Sequence, residues 1–180
     1  MLFFIIVFLV IAQRITEVFI AKRNEKWMLL QGAYEVGASH YPYMIALHCS
    51  FFLFLIVEVL TNNSSLSPLF PLFFILFMAV QALRIWCLRS LGPFWNTKII
   101  ILPGSQIVKK GPYVFFRHPN YAVVCLEIVL LPLMFQAYFT AFCFTLLNIT
   151  MLSVRIPIEE KALRETTNYN NVFKKKISEP

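Results

Sequence analysis

Long apolar stretches alternate with short polar segments along the chain, at residues 2–12, 43–60, 68–88, 121–135 and 137–154. A helix that crosses a bilayer needs about 20 largely apolar residues, at a rise of about 1.5 Å per residue. The last two stretches together span residues 121–154, about 51 Å as a helix, which is too long for one crossing. Pro132 and Gln136 mark a place where the chain can turn. The pattern therefore predicts an all-α integral membrane protein with five transmembrane helices, the last two forming a tight helical hairpin.

Charged residues are few, and the Lys and Arg residues are unevenly distributed along the chain. They make up 14% of the chain and hydrophobic residues 59%, against about 25% and about 45–50% in a soluble domain. Of the 16 Lys and Arg residues, 14 lie in residues 21–42, 88–120 and 155–180, whereas the connections at 61–67 and 136–137 hold none. The positive-inside rule then predicts an external N-terminus, with the C-terminus and the basic loops cytoplasmic.

The composition also limits the classes of partner. The net charge is +7, but no basic and aromatic surface exists apart from the membrane, which disfavours nucleic-acid binding. The four cysteines are scattered without metal-ligand spacing, so they are interpreted as small apolar core residues and no metal site is predicted. We expect one polytopic membrane domain over residues 1–180, whose partner is the bilayer. Its oligomeric state is left open, and the short chain favours a bacterial cell membrane.

A polar and aromatic segment, "GPYVFFRHPNY" at residues 111–121, precedes the fourth apolar stretch; we call it the collar. Pro119 suits the first turn of a helix, and it disfavours helical geometry at His118. The free N–H groups of such a helix start form a site for a small anion, such as the carboxylate of an amino-acid-like cofactor. Aromatic rings such as Tyr113 and Tyr121 can stack on adenine or face a sulfonium, and Asn120 adds hydrogen-bonding groups. The alternative is a plain interfacial anchor.

The second candidate segment is "VRIPIEEKALRE" at residues 154–165, after the last apolar stretch. We expect Pro157 to break or restart the helix there, which places two acidic residues in a new first turn, where they complement the helix dipole. In the alternative, Arg155 and Glu159, four residues apart, share one face and bind an anionic acceptor and the polar groups of a cofactor. The collar and this segment together provide what is needed to hold S-adenosylmethionine at a membrane surface.

These two segments resemble one family in their order and spacing. The pattern Gly-x-Tyr-x-x-x-Arg-His-Pro-x-Tyr at residues 111–121, followed about 35 residues on by Arg-x-x-x-Glu-Glu at 155–160, resembles the isoprenylcysteine carboxyl methyltransferase family. The similarity covers roughly residues 85–175. It implies an integral membrane enzyme that binds S-adenosylmethionine on the cytosolic side and takes a lipophilic acceptor from the bilayer.

The resemblance also implies roles for individual residues. Arg155 and Glu159 would be the catalytic pair, with Arg155 facing the acceptor and Glu159 closing the cofactor pocket. The cofactor-binding residues would be Ser105, Gln106, Ile107, Val108, Tyr113, His118, Pro119, Asn120, Tyr121, Glu159 and Glu160. Eukaryotic members carry a His where this chain has "SQIV" at 105–108. Residues 86–180 are therefore expected to form the methyltransferase core, and the divergent residues 1–85 to supply the acceptor side.

Ionisable residues at membrane depth are costly and indicate candidate contacts with the acceptor; they are Arg14, Glu17, His40, His48 and Glu127. The alternative is a structural ion pair between Arg14 and Glu17 and hydrogen-bonded structural histidines. A carboxylate acceptor needs no deprotonation at neutral pH, whereas a phenolic or enolic hydroxyl needs a base such as His or Glu.

Three functions remain open from the sequence. Short bacterial members that this chain resembles in its N-terminal half imply O-methylation of lipidic polyketides such as alkylpyrones. The second possibility is methylation of the carboxylate of a prenylated cysteine or another lipid-like acid. The third is a small transporter or membrane assembly factor without enzymatic activity, but the polar residues gather at one predicted membrane boundary, which favours a one-sided pocket.

Overall fold

A computed structural model describes residues 1–62 and 65–173. Three tail lysines that entered the predicted orientation, Lys174, Lys175 and Lys176, lie outside the described residues. The helices and strands of the described chain are α1 (Leu2–Leu30), β1 (Tyr34–Val36), α2 (Tyr41–Thr61), α3 (Phe70–Leu91), β2 (Ile99–Ile101), α4 (Pro119–Leu133), α5 (Tyr138–Thr166) and α6 (Tyr169–Phe173).

The helical membrane fold is confirmed, with a difference in the number of full-length spans. Within the described residues, helices over Leu2–Leu30, Ala38–Thr61, Phe70–Phe94 and Tyr138–Thr166 are long and apolar enough to cross a bilayer. Large apolar side chains on their outer faces are exposed, such as Phe8 at 69% and Ile75 at 66%, which suits contact with lipid. The fifth predicted span is α4, whose 15 residues measure about 22 Å against a hydrocarbon core of about 30 Å.

The predicted hairpin between α4 and α5 forms, but only its first helix is short. Gln136 takes a positive φ of 57° at the turn, and its Nε2 donates to the backbone oxygens of Ser65 and Leu66 at 3.2 and 3.1 Å. The start of α5 is capped by Glu58 of α2, whose carboxylate accepts from the Phe139 and Thr140 N–H groups. A carboxylate at a helix N-terminus satisfies free N–H groups and complements the dipole.

Pro157 does not break the last helix, which corrects the expected restart. Helix α5 continues through it for 29 residues in all. Arg155 precedes the proline and Glu159 follows it, and both bind the Tyr121 hydroxyl of α4. A proline removes one helical hydrogen bond, and this shared partner ties the helix together on both sides of the gap.

A two-stranded antiparallel sheet, absent from the all-α prediction, joins the ends of the helices. Strand β1 pairs with β2 in the register Tyr34↔Ile101, Glu35↔Ile100 and Val36↔Ile99. Ile99 and Ile101 pack with Ala162 of α5, and Ile100 packs with Met28 of α1. The sheet thus connects α1 to α5 at the collar end of the bundle. Strands of three residues are too short to give a clear period-2 pattern in the sequence.

Irregular chain covers this end between β2 and α4. The Gly104 N–H donates to the Thr166 carbonyl at 2.9 Å, and the Ile107 N–H donates to Asn168 Oδ1 at 2.8 Å. Gly111 has a φ of 57°, and a Cβ there would lie 2.2 Å from Ser90 Oγ. Glycine is therefore required where the collar begins, by both its backbone conformation and its close approach to α3.

Candidate active site

A cavity of about 650 Å³ extends from the collar into the helix bundle. Its walls are mostly apolar, and its polar residues form two sets. The collar group consists of Tyr113, His118, Asn120, Tyr121, Arg155 and Glu159, and the inner group consists of Arg14, Glu17, His48, Arg84 and Glu127. Asn120 and Glu127 are seven residues apart on α4, so the two groups are separated by about 10 Å along that helix.

The centre of the collar group is a buried arginine. Arg155 is 3% exposed, and its Nε donates to the Tyr121 hydroxyl at 2.8 Å. Its Nη2 donates to the Thr97 carbonyl at 2.6 Å, and its Nη1 contacts Met44 Sδ at 3.1 Å. The Tyr121 hydroxyl in turn donates to Glu159. The predicted sharing of one face by Arg155 and Glu159 is thus present, with Tyr121 as the link.

His118 immediately precedes α4, and its ring is held by an acidic partner. Its ring stacks on Tyr121 at a centroid distance of 5.4 Å, and its Nε2 lies 3.2 Å from Glu160 Oε1. Among the described residues, Glu160 is not part of the cavity lining; its contact with the cofactor stays a prediction, and in the structure it holds His118. Helix α4 starts at Pro119 without a side-chain cap. Pro119 has no N–H, and the Tyr121 N–H donates to the His118 carbonyl at 3.1 Å, so the Asn120 N–H is the group of this helix start that can face an anion.

Several residues that line the cavity carry a buried polar atom without a hydrogen-bond partner within residues 1–62 and 65–173. These atoms are Trp95 Nε1, Asn96 Oδ1, Tyr113 Oη, Asn120 Oδ1 and Tyr169 Oη. Burial raises the pKa of Tyr113, so its hydroxyl stays neutral and able to donate. Buried polar groups are almost always satisfied, and this arrangement therefore fits a polar ligand with several donors and acceptors. S-adenosylmethionine, with its adenine, ribose and amino-acid groups, meets that requirement.

The predicted segment Ser105, Gln106, Ile107 and Val108 also lines the cavity. Its backbone is fixed by the contact of Ile107 with Asn168, and the Ser105 hydroxyl donates to the Leu102 carbonyl at 2.7 Å. The position next to the collar group places this segment where it can contact the same ligand.

The inner group is an ion network that joins three helices. Arg14 of α1 contacts Glu17 at 2.6 Å and Glu127 of α4 at 2.7 Å. Arg84 of α3 contacts Glu17 at 2.8 Å and also binds Glu127. Arg84, Glu17 and Glu127 are buried, and two positive charges balance two negative ones. The ion pair between Arg14 and Glu17 that the structural alternative predicted is present, and the network also includes Arg84 and Glu127.

The two predicted histidines of the first half differ in position. His48 lines the cavity as the member of the inner group that makes no ion pair within the described residues. His40 is buried at 8% exposure but lies outside the cavity lining of the described chain, packed under Gly37, where a Cβ would meet its ring at 2.3 Å. Pro119 likewise starts α4 without lining the cavity.

The cavity lining also includes residues that the sequence reasoning did not propose, among them Arg84, Trp95 and Asn96. Arg84 had a usable signal, because an arginine inside an apolar stretch indicates a functional or paired site. For Trp95 and Asn96, the sequence offered no signal beyond their position in the segment that resembles the family.

The cavity opens between α1 and α2. Ile15 and Val18 of α1 and Ile45 and Cys49 of α2 line it, and all four are exposed. This opening is apolar, and both of its helices are long and apolar enough to cross a bilayer.

Comparison with known proteins agrees with the geometry. The chain is 49% identical over 164 residues to the Bacillus subtilis "Uncharacterized protein YpbQ", covering 91% of this chain and 98% of that protein. It is 30% identical over 155 residues to an "Uncharacterized protein" of Haemophilus influenzae, covering 86% of this chain and 90% of that protein. No solved structure matches the chain. The sequence model of one family matches residues 71–165, which hold the collar and both catalytic candidates. The chain therefore belongs to the isoprenylcysteine carboxyl methyltransferase (ICMT) family of membrane methyltransferases.

Proposed function

We propose that this protein is an S-adenosylmethionine-dependent O-methyltransferase whose acceptor is a lipophilic molecule from the bilayer. The observation that carries the proposal is the continuity of the cavity. It joins a collar group with unpartnered polar atoms to an apolar opening between α1 and α2. A water-soluble cofactor and a membrane-soluble acceptor can thus reach the same space from different sides.

The cofactor would occupy the collar group. The Asn120 N–H at the positive end of the α4 dipole suits its carboxylate, and Glu159 suits its ammonium or ribose hydroxyls. Asn120, Tyr113 and the segment 105–108 would contact the remaining polar groups. When bound, S-adenosylmethionine supplies an electrophilic methyl group on a sulfonium.

The residues of the chain contribute alignment and exclusion of water. Because methyl transfer is an in-line displacement, holding the acceptor oxygen against the methyl carbon lowers the barrier by proximity and orientation. The apolar walls keep water from the reacting atoms, which strengthens the attraction between an anionic oxygen and a sulfonium. Arg155, buried next to the cofactor side, can orient the acceptor oxygen.

The acceptor we favour carries a hydroxyl, as in a lipidic polyketide such as an alkylpyrone. Each nitrogen of Arg155 already contacts a protein group, namely Tyr121, Met44 and Thr97, which leaves fewer donors for clamping a carboxylate. A prenylated cysteine carboxylate is the second candidate, and the guanidinium in the cavity favours it. We also propose that the collar faces the cytoplasm in a bacterial cell membrane, which the basic loops support by the positive-inside rule.

The first test is calorimetric titration of the detergent-purified protein with S-adenosylmethionine, for wild type, His118→Ala and Glu159→Gln. Hydrogen bonds to charged groups contribute about 1.5–3 kcal/mol, so each substitution should weaken binding about tenfold or more. Glu165→Gln is the matched control, since it changes an exposed carboxyl of the same helix outside the cavity, and it should bind like wild type. Absence of binding by folded wild type would overturn the proposal.

A further inference from the structure

His48 presents one free nitrogen to the cavity. Its Nδ1 lies 2.7 Å from the backbone oxygen of Met44. A carbonyl oxygen only accepts hydrogen bonds, so Nδ1 carries the proton. In the neutral ring, Nε2 is then an unprotonated acceptor. No residue in the described parts of the chain is hydrogen-bonded to Nε2, and the side chain lines the cavity.

The position of His48 matches the acceptor side of the proposed reaction. Met44, one helical turn away, contacts Arg155 through its sulfur, so His48 lies about 6 Å further along α2 than that contact. Ile45 and Cys49, which form part of the opening to the bilayer, are its neighbours on α2. A molecule that enters between α1 and α2 therefore passes His48 before it reaches the collar group.

The other possible proton acceptors of the inner group are two carboxylates, and both already accept hydrogen bonds from the protein. Both carboxylate oxygens of Glu17 accept hydrogen bonds, from Gln13 and from the two arginines. Both oxygens of Glu127 accept from Gln81, Arg14 and Arg84. Arg14, Arg84 and Glu127 lie close enough to His48 to interact with it electrostatically, and Glu17 completes a set whose formal charges cancel. Among the inner group, only His48 retains an open proton-accepting atom within the described residues.

Resting on the proposed methyl transfer, we propose that His48 is the general base that removes the proton of a weakly acidic hydroxyl, a phenol or enol, on the lipophilic acceptor. Nε2 takes the hydroxyl proton, and an electron pair of the acceptor oxygen forms the new bond to the methyl carbon. The carbon–sulfur bond breaks with its electron pair left on sulfur, which becomes a neutral thioether. The imidazolium afterwards releases its proton to solvent. Positioned bases of this kind contribute about 10²–10⁴-fold to rates.

The proposal is tested with His48→Asn, whose amide N–H can still donate to the Met44 carbonyl while the titratable nitrogen is gone. Three acceptor probes are used, in mildly alkaline buffer: a long-chain 4-alkylphenol, whose hydroxyl pKa is about 10 like that of tyrosine and which stays mostly protonated; its 2-nitro analogue, which is largely ionised there; and an S-farnesyl cysteine. We expect methylation of the alkylphenol to fall about 100-fold or more. Methylation of the ionised nitro analogue should change little, because no proton remains to be removed.

A second readout requires no turnover. The nitro analogue changes its absorbance on ionisation, so it is titrated into cofactor-free protein in buffer acidic enough to keep the free probe protonated. Wild type should bind it as the phenolate and His48→Asn as the phenol. Equal spectra in the two proteins would overturn the role of His48 as base.

The remaining outcomes separate this proposal from the proposed function. If wild type and His48→Asn bind S-adenosylmethionine equally and methylate all phenol probes equally, the base is refuted while the methyltransferase stands. If wild type methylates the farnesyl cysteine but neither binds nor methylates the phenols, the hydroxyl class is refuted. If wild type binds no S-adenosylmethionine, the proposed function itself fails.

Discussion

The collar group and the inner group contain similar residue types in one cavity, yet they differ in how fully their hydrogen bonds are made. In the inner group, every carboxylate oxygen of Glu17 and Glu127 accepts at least one hydrogen bond. In and around the collar group, atoms of Trp95, Tyr113 and Asn120 are buried without a partner in the described chain. A buried polar group without a partner destabilises the ligand-free protein, and a ligand that supplies the missing hydrogen bond removes that penalty.

The difference indicates separate purposes for the collar group and for the ion network of the inner group, to which His48 does not belong. Two arginines and two glutamates in the inner group form a neutral network, which is how ionisable groups are accommodated at membrane depth. That network joins α1, α3 and α4, and we assign it to stability. The collar group is incomplete by itself, and we assign it to binding. Substitutions in the two groups should therefore separate stability from ligand affinity.

The largest expected effect is on stability, from Arg84→Met in the inner group. Arg84 is 4% exposed and bridges Glu17 and Glu127, so its loss leaves a net negative charge buried among the helices. Breaking such a buried pair costs about 3–5 kcal/mol. The free energy of unfolding in mild detergent, measured by chemical denaturation, checks this value.

A double variant controls for the loss of packing. Combining Arg84→Met with Glu127→Gln restores neutrality, because Arg14 and Glu17 remain paired, and it should recover part of the lost stability. A single Arg84→Met variant as stable as wild type would show that the network is not what holds the three helices together.

A smaller effect, on ligand affinity and not on stability, is expected from Asn120→Ala in the collar group. Its Oδ1 is buried without a partner among residues 1–62 and 65–173, so its removal sacrifices no observed hydrogen bond. Stability of the ligand-free protein should change by no more than about 0.5 kcal/mol. Affinity for S-adenosylmethionine should fall about tenfold, as expected for one lost hydrogen bond of about 1.4 kcal/mol. Calorimetry together with denaturation measures both quantities, and a loss of stability without a loss of affinity would reverse the assignment.

Sequence alone located the collar group because its residues are close together in the chain. His118, Asn120 and Tyr121 lie within four positions, and a proline next to them marks the helix start. Arg155 and Glu159 are also a local pair. The apolar stretches predicted the helices, since hydropathy needs only a window of neighbouring residues.

The inner network was not predictable in the same way. Arg84 meets Glu127 across 43 positions and Glu17 across 67, and only the packing of α1, α3 and α4 decides which charges face one another. The open atoms of Trp95 and Asn96 are likewise a property of their surroundings, because no local pattern tells whether a polar atom will find a partner. Pro157 was misread for a related reason: the Tyr121 hydroxyl that holds α5 together around it comes from another helix.

The smallest expected effect lies outside both groups, at Lys98, which contacts Glu25 of α1 at 2.8 Å and Glu35 of β1 at 3.0 Å. Lys98→Met should lower the free energy of unfolding by at most about 1 kcal/mol, since the three side chains are partly exposed. Donation of hydrogen bonds by the Lys98 ammonium to these two carboxylates raises its pKa from the usual 10.5 to about 12. Its stabilising contribution is therefore complete below pH 10.5, and it disappears as the pH rises through about 12. Denaturation of wild type and Lys98→Met at several pH values should show two curves that converge over that interval; curves that stay parallel would mean that the methionine variant differs through packing of the side chain and not through its charge.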